Sequence, residues 1–232
     1  MTKLTKLKLA CCLLWAIFLT GAVFWKKFLP VGVAAPKENE KPSMDLIEKF
    51  DAAIQQRFLT EPGFGISRIV FINPAVPNNP HLTNFIPKDA DEKTSVESFQ
   101  ADGWRAALYL FGRRIEKQTN EKNGKTKFYI SNRTFAPMPI TKNVKAENLK
   151  PSANLIDEAA NAFEAFQTSD KYEFDNGRWA YVAKPVRAQQ SCLQCHTDYV
   201  MTSKIGEKPY KYRKRQKGDA IGVLVYGFEE GK

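Results

Sequence analysis

The sequence is poor in cysteine and histidine. Only four cysteines and two histidines occur among its 232 residues. Cys11 and Cys12 lie inside an N-terminal apolar run, which leaves Cys192 and Cys195 for the rest of the chain. Two cysteines cannot build a framework of structural disulfides. The sequence also lacks internal repeats, low-complexity tracts and any grouping typical of acid–base or nucleophilic catalysis, so we expect a folded domain that is not an enzyme.

Basic residues outnumber acidic residues, and the excess positive charge is concentrated in two clusters. The net charge is +10, yet two clusters alone carry eleven positive charges, five around the apolar run and six within Lys208–Lys217. The rest of the chain is therefore close to neutral, and the charge does not indicate nucleic-acid binding. Lys208–Lys217 predicts a surface for an acidic partner protein or for anionic lipid headgroups, with a solvated loop as the alternative.

An apolar run without charges covers residues 9–25. As a helix, its 17 residues would extend about 25 Å, near the lower limit for crossing a bilayer. This run predicts a single N-terminal transmembrane helix, with a cleaved signal peptide as the alternative. The expected organisation is a signal anchor at 1–27, a proline-containing linker at 28–43 and a folded domain at 44–232.

The folded domain combines helical and strand-like patterns. Apolar residues four apart predict an amphipathic helix at 44–58, with Ser43 as its N-cap. A short strand at 66–72 runs into a loop rich in asparagine and proline. Helices beside a small antiparallel sheet make an α+β fold. The other predicted elements are a helix leading into a strand at 95–111, a strand at 127–135, a helix at 151–167, and strands at 178–186 and 219–228.

Three of the scarce residues stand together in Cys192-Leu-Gln-Cys195-His196. Cys-x-x-Cys-His is the attachment pattern of a c-type haem. Two thiols three positions apart can form thioethers to the two vinyl groups on one porphyrin edge, and the next histidine then reaches the iron. The motif predicts one covalently attached haem c, with Cys192 and Cys195 as attachment residues and His196 as proximal iron ligand.

Other uses of this motif remain open at the level of sequence. A zinc site would need Cys192, Cys195, His196 and a fourth ligand, which His81 could supply. A redox Cys-x-x-Cys would call for a thioredoxin-like βαβ setting, which the pattern lacks. Haem c is attached on the outer side of the bacterial membrane, so the N-terminal apolar run is consistent with the haem reading. We expect a bacterial inner-membrane protein with its haem domain in the periplasm.

Three stretches resemble the c-type haem PAS-like domain family, which occurs in a cyanobacterial photosystem II-associated cytochrome and in chemoreceptor sensor domains. "FINPAVPNNP" at 71–80 resembles the family's Asn-Pro stretch, "WAYVAKPVRAQQSCLQCH" at 179–196 its strand into the haem motif, and "KGDAIGVLVYGF" at 217–228 its closing strand. The resemblance covers roughly residues 44–228. It implies a PAS-like antiparallel sheet flanked by helices.

The resemblance also bears on the distal iron ligand. Many members place a cysteine on the first helix and others a methionine, and here Met44 stands at nearly the corresponding separation from Asn73. Met44 is therefore the expected distal ligand, with His81 or an open or water-bound iron as alternatives. Met138 and Met201 are weaker options.

These expectations combine into a membrane-anchored monohaem cytochrome that passes single electrons. It would serve a larger membrane respiratory complex and dock a redox partner near Lys208–Lys217. The alternative is a haem-based sensor of redox state or of a small gas, acting through a partner protein. A zinc-bearing interaction domain is the third reading.

Overall fold

The computed structural model describes residues 41–60, 85–134, 137–145, 148–203 and 206–231. The predicted membrane segment, the strand at 66–72, the Asn-Pro loop and His81 lie outside these residues. All described residues belong to one compact unit, Asn39–Lys232. The helices within the described ranges are all too short or too polar to cross a membrane.

Three α-helices occur in the described part of the chain: α1 (Met44–Thr60), α2 (Ala90–Ala101) and α3 (Ala153–Ala165). Polar residues start two of them, because their side chains accept backbone N–H groups that have no partner within the helix. Asp89 accepts the Glu92 N–H at 2.8 Å, and Ser152 accepts the Leu155 N–H at 3.1 Å. Before α1, the Ser43 hydroxyl accepts the Leu46 N–H at 3.4 Å, as its predicted capping role requires.

Eight β-strands follow the first two helices in the described residues. The main antiparallel sheet runs β2-β1-β8-β5-β4, with β3 beside β1, and β6 and β7 form a separate ribbon. The last strand in sequence, β8, therefore lies between β1 and β5. The bounds are β1 Trp104–Thr119, β2 Thr126–Thr134, β3 Met138–Pro139, β4 Tyr172–Asp175, β5 Ala180–Arg187, β6 Tyr199–Met201, β7 Tyr212–Lys214 and β8 Ala220–Glu230.

The central strands are buried on both faces, because helices cover the sheet on each side. Successive side chains of a strand point to opposite faces, so β8 contributes Leu224 and Tyr226 to one cluster and Val223 and Val225 to another. The first cluster packs under α1 and α2, and the second packs under α3. Phe50 of α1 is fully buried in the first cluster, and burying such a ring contributes about 1.5–3 kcal/mol.

The α+β fold with an antiparallel sheet flanked by helices is confirmed. The predicted elements in the described ranges are present with shifted ends, and the sequence patterns missed four short strands, β3, β4, β6 and β7. The Asn-Gly turn before β2 is present, and Gly124 takes the positive φ of 66° that favours glycine there. The chain order is α1, strands, α3 and a closing strand, as predicted. The Cys-x-x-Cys-His motif comes directly after β5.

A buried polar group joins α1 to the sheet. The Tyr226 hydroxyl donates to the Asp51 carboxylate at 2.7 Å, and Gln55 bridges Asp51 and the Pro185 carbonyl at 3.3 and 2.9 Å. Burial raises the pKa of Asp51, and the hydrogen bonds from Tyr226 and Gln55 and the charge of Lys184 only partly oppose this rise. The contact fixes α1 on β8 and β5, so α1 has one position over the first cluster.

A raised pKa for Asp51 predicts how stability depends on pH. The native state holds the Asp51 proton more tightly than the unfolded chain, so this residue's contribution falls as pH rises from the ordinary aspartate pKa through the raised value. We expect Asp51→Asn to remove that decline. Urea unfolding of both proteins across this range should show the variant gaining stability relative to the wild type as pH rises, whereas a pH-independent difference would contradict the raised pKa.

Candidate cofactor-binding site

The end of β5 directs the chain into the Cys-x-x-Cys-His motif. The β5–β8 register shifts between Val186 and Arg187, as at a β-bulge, and bulges re-aim the chain where they occur. The chain stays attached to the sheet for one more residue, because the Ala188 N–H donates to the Asp219 carbonyl at 2.8 Å and the Ala188 carbonyl accepts the Gly218 N–H at 2.9 Å. The motif therefore begins from a fixed point at the edge of the core.

One helical turn carries the three candidate side chains. A 3₁₀ helix spans Gln190–Gln194, and the Cys192 carbonyl accepts the N–H groups of Cys195 at 3.2 Å and His196 at 2.9 Å. The Cys192 Sγ itself accepts the Gln189 N–H at 3.2 Å. Local backbone hydrogen bonds thus hold Cys192, Cys195 and His196 on one short turn.

The two cysteines of this turn lie in different surroundings. Cys192 is buried, with 3% of its surface exposed, whereas Cys195 is exposed. Cys192 belongs to the first apolar cluster, and the partly buried Leu193 and Met44 pack against the same cluster. A porphyrin edge held by both sulfurs would therefore have one sulfur anchored in the core and the other at the surface.

His196 is half-buried, and its surroundings favour the neutral imidazole. Burial lowers its pKa, the positive charges of Arg215 and Arg114 lower it further, and the carboxylate of Asp198 acts in the opposite direction. The neutral ring is the form that binds a metal ion. The sequence motif did not predict the two arginines, because they lie far from His196 along the chain.

A buried ion pair fixes the segment that follows His196. Arg215 Nε and Nη2 donate to the two Asp198 carboxylate oxygens at 2.8 and 2.7 Å, and the two side chains are only 2% and 3% exposed. The Ile115 N–H of β1 also donates to Asp198 at 3.2 Å. Burial alone would raise the pKa of Asp198, but Arg215 outweighs it, so the pKa lies below its usual value. The pair connects the motif to β1 and to the segment before β8.

The residue types on the turn fit the attachment of a c-type haem. Two thiols and a neutral imidazole on one turn are the donor set that haem attachment needs. The described residues contain no group of three or more His, Cys, Asp or Glu side chains placed to hold a metal ion, and His81, the fourth ligand that a zinc site would use, lies outside them. A c-type haem needs the two thiols along one porphyrin edge, and both thiols lie on this turn.

The candidate distal ligands are distributed over both sides of the sheet. Met44, at the start of α1, and Met138, in β3, belong to or pack against the cluster that contains Cys192. Met201 of β6 instead borders a cavity beside α3. His81 lies outside the described residues. The structure therefore brings Met44 and Cys192 to one apolar cluster. Met138 is a buried member of the same cluster.

The basic segment Lys208–Lys217 is partly structural. Arg215 is buried with Asp198, and Arg213 binds both oxygens of Asp219 at 2.6 and 2.7 Å. Tyr212 in β7 stacks on Phe128 of β2, with 4.0 Å between the ring centroids. The four lysines of this segment are exposed. Partner docking here remains a prediction, and it now depends on those lysines alone.

A PAS-like α+β fold with a Cys-x-x-Cys-His turn at the end of a core strand defines a haem-binding domain. Comparison with family models matches residues 75–228 to the Tll0287-like family, and this chain belongs to that family of c-type haem PAS-like domains. The match contains the motif but begins after α1, so it does not include Met44. No curated protein and no solved structure matches the chain.

The Asp198–Arg215 pair predicts a large cost for removing one charge. In Asp198→Asn, Arg215 would keep a buried charge without its counterion, and we expect a loss of about 3 kcal/mol in the free energy of unfolding. The matched control is Asp170→Asn, because Asp170 is 84% exposed and pairs with Arg187 at the surface. That control should lose less than about 1 kcal/mol in urea unfolding. Equal losses in both variants would contradict a structural role for the buried pair.

Proposed function

We propose that this chain is a membrane-anchored monohaem c-type cytochrome that transfers single electrons within a larger membrane respiratory complex. The observation that carries the proposal is the single turn after β5 with Cys192, Cys195 and His196 in a member of a haem-binding family. The apolar run at 9–25 supports an anchor in the bacterial inner membrane, with the domain in the periplasm.

The protein's own residues provide attachment and surroundings for the cofactor. Cys192 and Cys195 would hold the porphyrin covalently, and the half-buried His196 would offer its neutral imidazole to the iron. The haem, when bound, supplies the one-electron redox chemistry. The apolar cluster around Cys192 lowers the local dielectric and excludes water, which is one of the ways a protein sets a haem potential.

Met44 is the residue that we propose for the distal side. It packs against the cluster that contains Cys192, and the Asp51–Tyr226 contact two turns further along α1 fixes the helix that carries it. If Met44 and His196 both held the iron, the thioether and the imidazole would tend to raise the haem potential, as suits a carrier. Two fixed ligands would also leave little room for a gas molecule.

The lysines at 208, 211, 214 and 217 are exposed and would attract an acidic redox partner. Opposite fields speed encounter between proteins and weaken with salt, because the Debye length shortens. Cys195 is also exposed, so a haem held there would be attached at the surface of the domain.

A sensor of redox state or of a small gas is the second candidate. Membership of the Tll0287-like family supports it, because the family's domains are PAS-like. A sensor of gas needs a distal position that a ligand can enter, whereas a carrier keeps two protein ligands in both oxidation states. The distal ligand therefore separates the two candidates.

Covalent attachment can be tested on the turn itself. We expect one haem per chain with the pyridine haemochrome spectrum of haem c, and haem staining that persists on a denaturing gel. Replacing both Cys192 and Cys195 by serine should abolish the stain, because no thioether can form. Gln194→Ala is the matched control on the same turn and should keep full haem content. Colourless wild-type protein that binds zinc instead would overturn the proposed function.

The distal ligand can be tested by three matched variants. Met44→Leu should remove the long-wavelength sulfur-to-iron absorption band of the ferric protein and speed CO binding to the ferrous protein at least about tenfold, because an axial bond is lost. Met138→Leu and His81→Gln should leave the band and the slow CO binding unchanged.

Loss of the band in Met138→Leu would move the ligand to β3. Rapid CO binding by the wild type, without the sulfur-to-iron band, would favour the sensor over the carrier.

A further inference from the structure

The strand β2 forms one edge of the main sheet. Its nine residues pair with β1 on one side, and among the described strands none pairs with its other side. Every residue of β2 except Phe128 is exposed. An exposed edge strand presents backbone groups on which another extended chain can pair. The outer side of β2 is therefore a candidate interaction surface.

Hydrogen bonds on β1 show which backbone groups of β2 face outward. At the hairpin turn the Asn120 N–H donates to the Lys125 carbonyl at 2.9 Å, and bonded and non-bonded pairs alternate from there. Ile115 and Ile130 are therefore a non-hydrogen-bonded pair, as the Ile115 N–H confirms by donating to Asp198 instead. The N–H and carbonyl groups of Ile130 thus point away from β1. The same holds for the residues two and four positions away, Thr126, Phe128, Asn132 and Thr134.

The charges of β2 are all positive. Lys127 and Arg133 are its only charged residues, and neither forms an ion pair within the part of the chain that the structure describes. Both point to the same side of the sheet, about 20 Å apart along the strand. Tyr129 lies between them on that side and is 50% exposed. An added strand that matches this side has an acidic residue near each end and an apolar residue between them.

These charges disfavour pairing of β2 with the same strand of a second copy. An antiparallel pair centred on Ile130 would place Lys127 of each copy opposite Arg133 of the other. Like charges directly opposite each other destabilise a sheet, and basic residues on exposed edges protect proteins from self-association. The edge therefore favours an acidic occupant over another copy of itself.

The edge lies close to the segment that follows His196. Asp198 accepts the Ile115 N–H of β1 at 3.2 Å, and the ring centroid of Tyr199 lies 5.4 Å from that of Phe128 in β2. A strand added to β2 would lie two strand spacings, about 10 Å, from β1. A partner bound at this edge would thus be near the candidate haem site.

We propose that the free edge of β2 binds an extended acidic segment of a partner protein as an added strand. Backbone hydrogen bonds supply the affinity, and Lys127 and Arg133 select the acidic segment. A role for this edge in electron exchange rests on the proposed cytochrome function, whereas the pairing itself needs no haem. Failure of the pairing would therefore leave the haem and CO experiments unaffected.

A short acidic peptide tests the edge on the full, haem-loaded protein. The probe is Glu-Thr-Thr-Val-Val-Thr-Glu with both ends blocked, because its two glutamates would face Lys127 and Arg133. We expect saturable binding in calorimetric titration, with a Kd of about 100 µM or below at low salt. Absence of saturable binding would overturn the proposal.

Two altered peptides separate strand addition from charge attraction. Replacing both glutamates by lysine should weaken binding at least about tenfold, because like charges then face each other. N-methylation of the second, fourth and sixth residues keeps the charges but removes the N–H groups that would donate to β2. It should also weaken binding at least about tenfold. Equal binding of the N-methylated peptide would contradict an added strand, and this comparison needs no variant of the protein.

Two variants at one position test the backbone of β2. Ile130→Pro removes the outward N–H and keeps the hydrogen bonds to β1, since an edge strand tolerates proline where its N–H faces solvent. We expect at least about tenfold weaker binding of the acidic peptide, whereas Ile130→Ala keeps the N–H and should lose less than about threefold. Equal affinity in the two variants, with unchanged circular dichroism, would refute pairing at Ile130.

A double variant tests the selecting charges. Lys127→Gln together with Arg133→Gln should weaken binding at least about tenfold. The matched control is Lys171→Gln together with Arg178→Gln, which changes the net charge equally beside β4, at the opposite edge of the sheet. That control should keep the affinity within about twofold. Equal weakening in both proteins would show a general field effect and would contradict selection by β2.

Hydrogen exchange and light scattering identify the occupied edge and its occupant. Peptide binding should slow amide exchange in β2 and leave β4 unchanged, whereas protection of β4 alone would refute the assigned edge. The wild-type protein should not associate through β2. A wild-type dimer that Ile130→Pro converts to a monomer would show that a second copy occupies the edge, which would overturn the proposed acidic partner.

Discussion

The position of the turn that carries Cys192, Cys195 and His196 depends on the buried ion pair between Asp198 and Arg215. Asp198 follows His196 by two residues and accepts both a guanidinium and the Ile115 N–H of β1. Arg215 also donates to the Ala220 carbonyl at the start of β8. Charges removed from water must be hydrogen-bonded to be stable. The Asp198 and Arg215 side chains are therefore held in one arrangement by these hydrogen bonds. The candidate iron ligand is thereby held against the two central strands of the sheet.

The two faces of the sheet have different surroundings. One face packs under α1 and α2 and gathers Cys192 and Met44 into an apolar cluster, as a haem requires. The other face packs under α3, where Arg187 and two phenylalanines border the cavity. The separation follows from the alternation of side chains along each strand. Arg215 is the shared element, because it lines the cavity and also pairs with Asp198.

Strong local patterns allowed much of the fold and the core of the site to be predicted. The helix at 44–58, the helix at 151–167 and the Cys-x-x-Cys-His motif each carry their signal within a few residues. The strand β4 was missed because four residues give too little alternation to recognise. The basic segment shows the opposite error, since charge alone does not reveal that Arg215 is buried while the neighbouring lysines are exposed.

The sequence by itself determined the candidate cofactor motif, because two thiols and an imidazole within five residues need no distant partner to form the Cys-x-x-Cys-His pattern. It also determined the alternation that makes both faces of the sheet apolar. The tertiary structure decided which distant residues surround the motif, namely Arg215 beside Asp198 and Met44 beside the cluster of Cys192. It also decided that four arginines from three segments of the chain meet around one cavity. Such contacts form only when the strands pair and the helices pack, so residues close together in space are not close together in the sequence.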